Sequence, residues 1–110
     1  MRVQLSARHC EIPDAVRARA EDRVARLTRY DPRLSSAEVV FEIEKHLHKV
    51  EAVLSIHGDG TVVAKGEGPD FRIAVDQLVD RLAKVLRRRR SQVTDHQASR
   101  PASEPEVVSE

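Results

Sequence analysis

The sequence predicts one α+β domain of the order β-α-β-β-β-α, with two helices packed side by side on one face of a four-stranded sheet. Four segments alternate apolar and polar residues, the period of a half-buried strand, and two others repeat apolar residues at helical spacing. The chain has 110 residues, which supply apolar surface for one core but too little for two. Together these observations indicate a single two-layer domain.

Residues Arg2–Arg8 alternate between apolar and polar side chains and are predicted to form the first strand. The first helix is predicted to begin at Pro13, with Asp14 placing a carboxylate in its first turn. It should run to about Arg29, because Asp31-Pro32 prevents its continuation. Its apolar positions at helical spacing are Val16, Ala20, Val24 and Leu27.

The middle of the chain is predicted to form a meander of three strands. They are Ala37–Glu44, Val50–Ile56 and Thr61–Lys65, each with alternating apolar and polar residues. Lys45–Lys49 is interpreted as a tight basic hairpin connection, and Asp59-Gly60 as a type I′ turn. The sheet face turned away from the helices is expected to carry Arg2, Gln4, Arg8, Glu38, Glu42, Glu44, Glu51 and Lys65. Its mixed charge makes this face a poor platform for nucleic acid.

The second helix is predicted from a broad apolar stripe that follows a cluster of strand breakers. Gly66, Gly68 and Pro69 are expected to end the preceding strand, and Asp70 is a candidate N-cap. The helix should extend to Arg90. Its apolar stripe consists of Ala74, Val75, Leu78, Val79, Leu82, Val85 and Leu86.

Charge is segregated along the chain, which divides it into a domain and a tail. Residues 1–90 carry 18 Lys and Arg against 14 Asp and Glu, a net charge of +4, whereas residues 91–110 carry 1 against 4, a net charge of −3. Residues 91–110 also lack periodicity and are rich in Ser, Gln, Pro and Glu, a composition typical of disorder. We therefore expect a basic domain at 1–90 and a disordered acidic tail at 91–110.

Composition excludes several classes of protein. The single cysteine, Cys10, cannot form an internal disulfide, and the sequence contains neither a signal peptide nor an apolar run of the roughly 18 residues that a membrane span needs. A cytoplasmic protein with no membrane partner is expected. Aromatic residues make up 3% of the chain, so stacking of bases on aromatic side chains is not expected to dominate binding.

The predicted helices each carry a basic edge. Arg19, Arg23 and Arg26 share one flank of the first helix, and Arg81, Lys84 and Arg88 share one flank of the second. Arg87–Arg90 then concentrate four guanidinium groups in the last helical turn, and the hairpin adds Lys45, His46, His48 and Lys49. Cations in a last turn also complement the helix dipole, and charged stripes are often solvated faces. The four consecutive arginines nevertheless favour binding to a polyanion.

No catalytic, metal or cofactor site is predicted. His46 and His48, two residues apart, would point to one side of a strand, but the sequence does not place a third metal ligand beside them. His9 and Cys10 would point to opposite faces of a strand and could not readily form a nucleophile and base pair. The glycines lack the GKS or GKT ending of a phosphate-binding loop, so nucleotide hydrolysis is not expected.

Several segments, in order, resemble the ribosome hibernation promoting factor family, also called ribosome-associated inhibitors. The resemblance covers about residues 1–90 and rests on the joint order and spacing of these segments. They are Ala7-Arg8-His9, Ile12-Pro13-Asp14-Ala15-Val16-Arg17, Leu27-Thr28-Arg29-Tyr30, Glu44-Lys45-His46-Leu47-His48-Lys49-Val50-Glu51-Ala52 and Ala74-Val75-Asp76-Gln77-Leu78-Val79-Asp80-Arg81-Leu82. Pro13 stands where the family commonly has a hydroxyl residue, which should alter the helix cap and leave function unchanged.

The resemblance implies the same fold and a protein that binds the small ribosomal subunit and its rRNA, in the channel used by messenger RNA and tRNA anticodon ends. It also implies that bound ribosomes are stored in an inactive state. Positions that match basic places in the family are Arg23, Arg26, Lys45, His48, Lys49, Arg81, Lys84, Arg87 and Arg88; Arg90 extends this predicted RNA-binding set. The sequence resembles the short family members without a second domain, which implies a monomer away from the ribosome.

Three other functions are compatible with parts of the sequence. A double-stranded RNA-binding domain has a similar β-β-β-α portion, but it predicts a basic start to the last helix, where this chain has Asp70-Phe71-Arg72-Ile73. A basic protein-interaction module would use its helix to dock on an acidic partner. A thiol enzyme using His9 and Cys10 ranks last, and no catalytic residue is assigned.

Overall fold

The computed structural model describes residues 1–96, with side chains described through residue 90. The elements are β1 (Arg2–Arg8), α1 (Asp14–Ala25), a 3₁₀ turn (Arg26–Arg29), β2 (Leu34–Glu44), β3 (Leu47–Ile56), β4 (Thr61–Gly68) and α2 (Phe71–His96). The strands form a sheet of order β1-β2-β3-β4, with β1 parallel to β2 and the other neighbours antiparallel. The predicted α+β class and element order are confirmed.

Cross-strand register collects the apolar side chains into rows on the face that carries both helices. One row joins Val3, Ala37, Leu54 and Val62, the next Leu5, Val39, Ala52 and Ala64, and a third Ala7, Phe41, Val50 and Gly66. The buried helix residues packed on them include Ala20, Val24, Leu27, Ala74, Val75, Leu78, Leu82 and Leu86. Since side chains alternate across a strand, the residues predicted for the polar face share the opposite side.

The predicted end of the fourth strand at Lys65 is wrong, because β4 continues through Gly66 and ends at Gly68, directly before Pro69. A Cβ on Gly66 would collide with the carbonyl oxygen of Ala74 and lie 2.8 Å from the backbone nitrogen of Leu78. The missing side chain therefore lets the backbone of α2 approach the sheet closely. Gly66 marks a packing contact between strand and helix.

The predicted Lys45–Lys49 connection is too long, because β2 extends to Glu44 and β3 already begins at Leu47. Only Lys45 and His46 lie between the strands, with φ angles of 50° and 68°. Positive φ at both central residues is the geometry of a type I′ hairpin turn. Lys and His rarely adopt it, which is why the sequence did not reveal so tight a turn.

The predicted type I′ turn at Asp59-Gly60 is also wrong. The positive φ angles occur at Gly58 (75°) and Gly60 (80°), and the N–H of Asp59 donates to the carbonyl oxygen of Ile56 at 2.9 Å. The chain therefore turns around Gly58, with Gly60 leading back into β4. Glycine is needed at both positions because L side chains rarely adopt positive φ.

The start of β2 and the end of α2 also differ from prediction. β2 begins at Leu34, before the predicted Ala37, and its pairing with β3 is irregular between Leu34 and Ser36. That irregularity turns Leu34 into the core and breaks the alternation. α2 continues past Arg90 to His96, since neither Gly nor Pro interrupts the sequence there. The rest of the predicted tail, residues 97–110, lies outside the described residues.

Candidate nucleic-acid interface

A groove of about 630 Å³ runs between α1 and α2. Its floor is apolar and its walls are charged. The lining residues are Ala18, Arg19, Asp22, Arg23, Arg26, Leu27, Arg29, Tyr30, Asp76, Val79, Asp80 and Ala83. Four arginines against three aspartates leave the groove a formal net charge of only +1. The predicted basic edge of α1 thus faces acidic residues that periodicity alone did not place beside it.

Asp76 is the acidic residue that connects the two helices. Its Oδ1 accepts hydrogen bonds from Nε (3.2 Å) and Nη2 (3.0 Å) of Arg19, and its Oδ2 accepts from Nη2 at 3.0 Å. Nη1 of Arg23 lies 3.7 Å from Oδ1. Two arginines of the predicted basic edge therefore share one carboxylate of α2.

Two further cations pair with a carboxylate one helical turn away in the sequence. Arg26 pairs with Asp22 at 3.2 Å, and Lys84 pairs with Asp80 at 3.5 Å, both with the i,i+4 spacing of helical neighbours. All four of these side chains are more than half exposed, so water and salt screen the pairs. Both cations remain available to a phosphate.

The predicted basic edge of α2 lies on the flank away from α1. There, Nη1 of Arg81 donates to the carbonyl oxygen of Lys65 at 2.7 Å, and Oε1 of Gln77 accepts from the N–H of Glu67 at 2.9 Å. Arg88 shares this flank by helical spacing. These contacts cover part of the outer edge of β4, so the two predicted basic edges do not form one surface.

The four-arginine run is divided among different surroundings. Nη2 of Arg89 donates to Oδ2 (2.8 Å) and the backbone oxygen (3.2 Å) of Asp59, and its side chain is 14% exposed. Nη1 of Arg90 donates to the backbone oxygen of Tyr30 at 3.3 Å. Arg89 and Arg90 thus attach α2 to neighbouring loops. The guanidinium of Arg87 instead lies 5.7 Å from the Tyr30 ring centre.

Tyr30 lies at one end of the groove, and two arginine guanidinium groups lie close to its ring. The guanidinium carbon of Arg29 lies 5.0 Å from the Tyr30 ring centre, and its Nη2 donates to the Tyr30 hydroxyl at 3.1 Å. Arg87 approaches the same ring from α2. Arg29 and Tyr30 were absent from the predicted RNA-binding set, although both belong to the segment Leu27-Thr28-Arg29-Tyr30 that carried the family resemblance.

The β2–β3 turn forms a separate basic region. Lys45 and His46 are exposed at its tip. His48 and Lys49 lie in β3 and point to opposite faces of the sheet, since they are adjacent in a strand. The predicted placement of His46 and His48 on one side of a strand is wrong, because His46 belongs to the turn.

His48 and Lys49 each have a neighbour in the structure. The His48 ring packs edge-on against Phe71 at 4.6 Å between ring centres, where α2 begins. Nζ of Lys49 donates to Oε1 of Glu44 at 2.5 Å. This hydrogen bond and the opposite charges hold the pKa of Glu44 below its ordinary value and that of Lys49 above it.

The predicted RNA-binding residues lie at two ends of α2, in the groove, and on the flank of α2 that faces away from α1. The β2–β3 turn lies near Phe71 at the start of α2, as the ring contact of His48 shows. Arg88 is about 25 Å further along the helix, given a rise of about 1.5 Å per residue. A ligand that contacts both ends must therefore be an extended one.

The described residues contain no group of three His, Cys, Asp or Glu side chains arranged to hold a metal ion. The half-buried Cys10 thiol donates to the carbonyl oxygen of Phe41 at 3.6 Å and packs against the core. Through residue 96, no helix is long and apolar enough to cross a membrane.

Comparison with known proteins gives the family. Residues 3–94 match the family described as Sigma 54 modulation protein / S30EA ribosomal protein. A ribosome hibernation promoting factor of Azotobacter vinelandii is 34% identical over 106 residues, which cover 96% of this chain and 98% of that protein. This match supports the resemblance found in the sequence.

Solved structures agree with this assignment. A ribosomal subunit interface protein from Coxiella burnetii superposes with a TM-score of 0.77 and 25% identity, covering 83% of this chain and 99% of the other. The N-terminal domain of Thermus thermophilus Protein Y gives a TM-score of 0.71 and 33% identity, covering 80% and 98%. The chain therefore belongs to the Sigma 54 modulation protein / S30EA ribosomal protein family, which includes the ribosome hibernation promoting factors.

Proposed function

We propose that this protein is a ribosome hibernation factor that binds small-subunit rRNA in the channel for messenger RNA and tRNA anticodon ends. Occupying this channel stores the ribosome in an inactive state. The names of its relatives, which refer to ribosome hibernation and the subunit interface, support the ribosome as partner. The small-subunit channel follows from the sequence resemblance. A ribosomal partner also agrees with the expected cytoplasmic location.

The observation that carries the proposal is the pair of arginines around Tyr30. Arg29 and Arg87 come from different elements and meet over one ring at the end of the groove. Neither forms an ion pair with a carboxylate among the described side chains, in contrast to Arg19, Arg23 and Arg26. Two such guanidinium groups on a fixed aromatic ring suit phosphate contacts.

The proposed rRNA contacts keep the sequence-predicted set and add Arg29. Exposed or half-buried cations of the helices and the turns make the direct contacts: Arg23, Arg26, Arg29, Lys45, Arg81, Lys84, Arg87 and Arg88. His48, Lys49 and Arg90 contact protein groups and are proposed to support neighbouring cations. The protein acts as a monomer on each subunit, and it needs no metal or cofactor for binding.

Sedimentation with purified small subunits, large subunits and whole ribosomes over a salt series tests this function, with a translation assay alongside. We expect saturable, salt-sensitive binding to small subunits and inhibited translation. Absence of small-subunit binding at low salt would contradict the proposal. Binding from a cell extract that survives nuclease treatment of the RNA would instead favour a protein-interaction module.

A pair of matched variants tests the proposed surface. Replacing Arg29 and Arg87 by Gln should reduce the slope of log K against log salt by about 1.5, since each lost phosphate contact accounts for roughly 0.7 to 0.9. Replacing Arg2 and Lys65 by Gln makes the same charge change on the polar sheet face and should leave the slope nearly unchanged. Equal effects of the two double variants would remove the Tyr30 region from the interface.

A double-stranded RNA-binding mode would make a different contact. Such a mode presents the start of the last helix to phosphates, whereas here Oδ1 of Asp70 accepts a hydrogen bond from the N–H of Ile73 at 2.9 Å. A capping carboxylate occupies the position that a phosphate would need. Competition by duplex RNA that equals competition by small subunits would favour that alternative.

A further inference from the structure

Asp76 occupies an unusual place among the acidic residues of the groove. It extends from α2 toward α1 and contacts Arg19 at 3.0 Å and Arg23 at 3.7 Å. The two arginines are four residues apart, so they lie on one face of α1, a single turn from each other. One carboxylate is thereby the counter-ion of two cations across the groove.

The Arg19–Asp76 pair is also less exposed than the pair that Arg26 forms with Asp22 in the same groove. The side chain of Arg19 is 26% exposed and that of Asp76 is 42% exposed, whereas the Arg26–Asp22 side chains are 65% and 55% exposed. The fork of Arg19 holds both carboxylate oxygens, a geometry stronger than a single contact. Water and salt therefore compete less well for this pair.

This arrangement affects how a polyanion can bind. A protein gains affinity for a nucleic acid when one of its free cations neutralises a phosphate and thereby releases the small counterions condensed around it. Arg19 and Arg23 already have a protein counter-ion, and a phosphate in the groove also meets the negative charge of Asp76. An unstructured strand therefore gains little from these arginines. A phosphate held in the groove by further contacts, such as those at Arg26 and Arg29, can replace Asp76 on them.

We propose that Asp76 is a specificity-determining residue. As an internal counter-ion of Arg19 and Arg23, it prevents these arginines from binding unstructured polyanions, and it is displaced from them by a phosphate that other contacts hold in the groove. The inference rests on the proposed rRNA binding and adds selectivity to it. Asp76 makes no contact with the RNA phosphate in this scheme. It acts through the two arginines whose positions and charge it controls.

The test replaces Asp76 by Asn in the full chain and measures binding of a fluorescent oligouridylate over a salt series. Asp76→Asn should bind this probe at least threefold more tightly, with a salt slope steeper by up to about 1.4 for two released arginines. Glu38→Gln is the matched control, because it removes one negative charge on the opposite sheet face, where Glu38 is exposed. Equal affinity of the two variants for oligouridylate overturns the proposal, because the change in net charge alone would then explain the effect.

Arg19→Gln provides a second test that does not depend on the fold of the first variant. If Asp76 withholds Arg19, this change should weaken oligouridylate binding less than twofold, and clearly less than Arg29→Gln does. In the Asp76→Asn background the same Arg19 change should remove much of the gain. Additive effects of the two changes, or an equal loss from Arg19→Gln and Arg29→Gln, overturn the proposal.

Small-subunit binding separates this inference from the proposed function. The preference for small subunits over oligouridylate should fall at least threefold in Asp76→Asn, with circular dichroism confirming the fold. If the wild type fails to bind subunits while Asp76→Asn still gains oligouridylate affinity, the proposed hibernation function is contradicted and the proposed role of Asp76 is supported. If the wild type binds subunits and Asp76→Asn gains no affinity for oligouridylate, the proposed role of Asp76 is contradicted and the proposed hibernation function is supported.

Discussion

Asp31 is a buried charged residue at one end of a series of ion pairs between neighbouring elements. Its carboxylate accepts from the N–H of Arg33 at 2.9 Å and from the Arg33 guanidinium at 3.1 and 3.0 Å, and the residue is 1% exposed. Arg33 also lies 3.5 Å from Asp59, which pairs with Arg89 of α2. Asp31 therefore belongs to a series of ion pairs that links the α1–β2 connection to α2 at Arg89.

The pKa of Asp31 leads to a prediction about pH. Burial alone would raise this pKa, but the hydrogen bonds from Arg33 and the charges of Arg33 and Arg90 together lower it below its ordinary value. A folded-state pKa below the unfolded one stabilises the protein above the unfolded pKa. That contribution is lost as the pH falls below about 4 toward the folded pKa.

Asp31→Asn should therefore lower the free energy of unfolding by about 1–3 kcal/mol at pH 7, because a buried charged hydrogen-bond partner is removed. The difference from wild type should shrink as the pH falls below about 4. Urea unfolding at pH 7 and pH 3 measures both. Asp59 is more exposed than Asp31, so Asp59→Asn should lower the free energy of unfolding by less. A deficit that is equally large at pH 3 would contradict the assigned cause.

Gly66 and Gly68 make a second prediction at the residue scale. A Cβ on Gly66 would meet backbone atoms of α2, whereas one on Gly68 would lie 2.8 Å from the Cγ2 of Ile73, a side chain that is 46% exposed. Gly66→Ala should cost about 1–3 kcal/mol of unfolding free energy, as expected for overpacking, and Gly68→Ala should cost less because Ile73 can rotate. Equal losses in thermal unfolding would contradict the close approach of α2 to β4.

At the scale of elements, the β2–β3 turn combines backbone strain with charge. Lys45 and His46 both adopt positive φ, a conformation that costs non-glycine residues about 1–2 kcal/mol each. Asn-Gly would suit the same turn better. The turn thus retains two basic side chains at a cost in stability, which supports a functional role for them.

Replacing Lys45-His46 by Asn-Gly should raise the free energy of unfolding by about 1 kcal/mol and weaken small-subunit binding. Chemical unfolding and co-sedimentation measure the two effects. Lys45→Gln separates them, because it removes the charge without relieving the strain at His46. A stabilised Asn-Gly variant that binds subunits as well as wild type would exclude the turn from the interface.

α2 has different tasks on its different sides. Its apolar stripe covers the sheet, its α1 side contributes Asp76 and Arg87 to the groove region, and its other flank places Arg81 and Gln77 over the edge of β4. Covering that edge protects backbone groups that could otherwise pair with another strand. One helix therefore supports the core, the binding surface and the sheet edge.

At the scale of the whole molecule, the two layers separate structural and binding roles. The helices carry the groove and the arginines around Tyr30, whereas the open sheet face mixes Glu42 and Glu51 with Lys49 and Lys65 across adjacent strands. Opposite charges on neighbouring strands largely cancel. The proposed interface therefore belongs to the helical layer and the β2–β3 turn.

The sheet order predicts uneven local stability. β1 has one strand neighbour and only part-buried Val3 and Leu5, whereas β3 lies between β2 and β4 with Ala52 and Leu54 fully buried. Backbone amides of β1 should exchange with solvent at least tenfold faster than those of β3 in native-state hydrogen exchange. Equal protection would mean that β1 opens only when the whole domain unfolds.

Local sequence patterns determined the order of the elements and which side of each faces the core. Alternation placed Val39 and Phe41 inside, helical spacing placed Leu78 and Leu82 inside, and Asp70 identified the start of α2. These features depend on residues a few positions apart, where chain geometry is regular. They sufficed for the fold class.

Only the tertiary structure decided which charges meet. Arg19 and Asp76 are 57 positions apart, and their pairing depends on how α1 lies against α2. The same holds for the division of Arg87–Arg90 between Tyr30 and Asp59. Ion pairs between elements are set by distances in space, which a one-dimensional periodicity does not contain. The sequence alone determined the fold and its basic character, and the packing of the helices determined how that charge is presented.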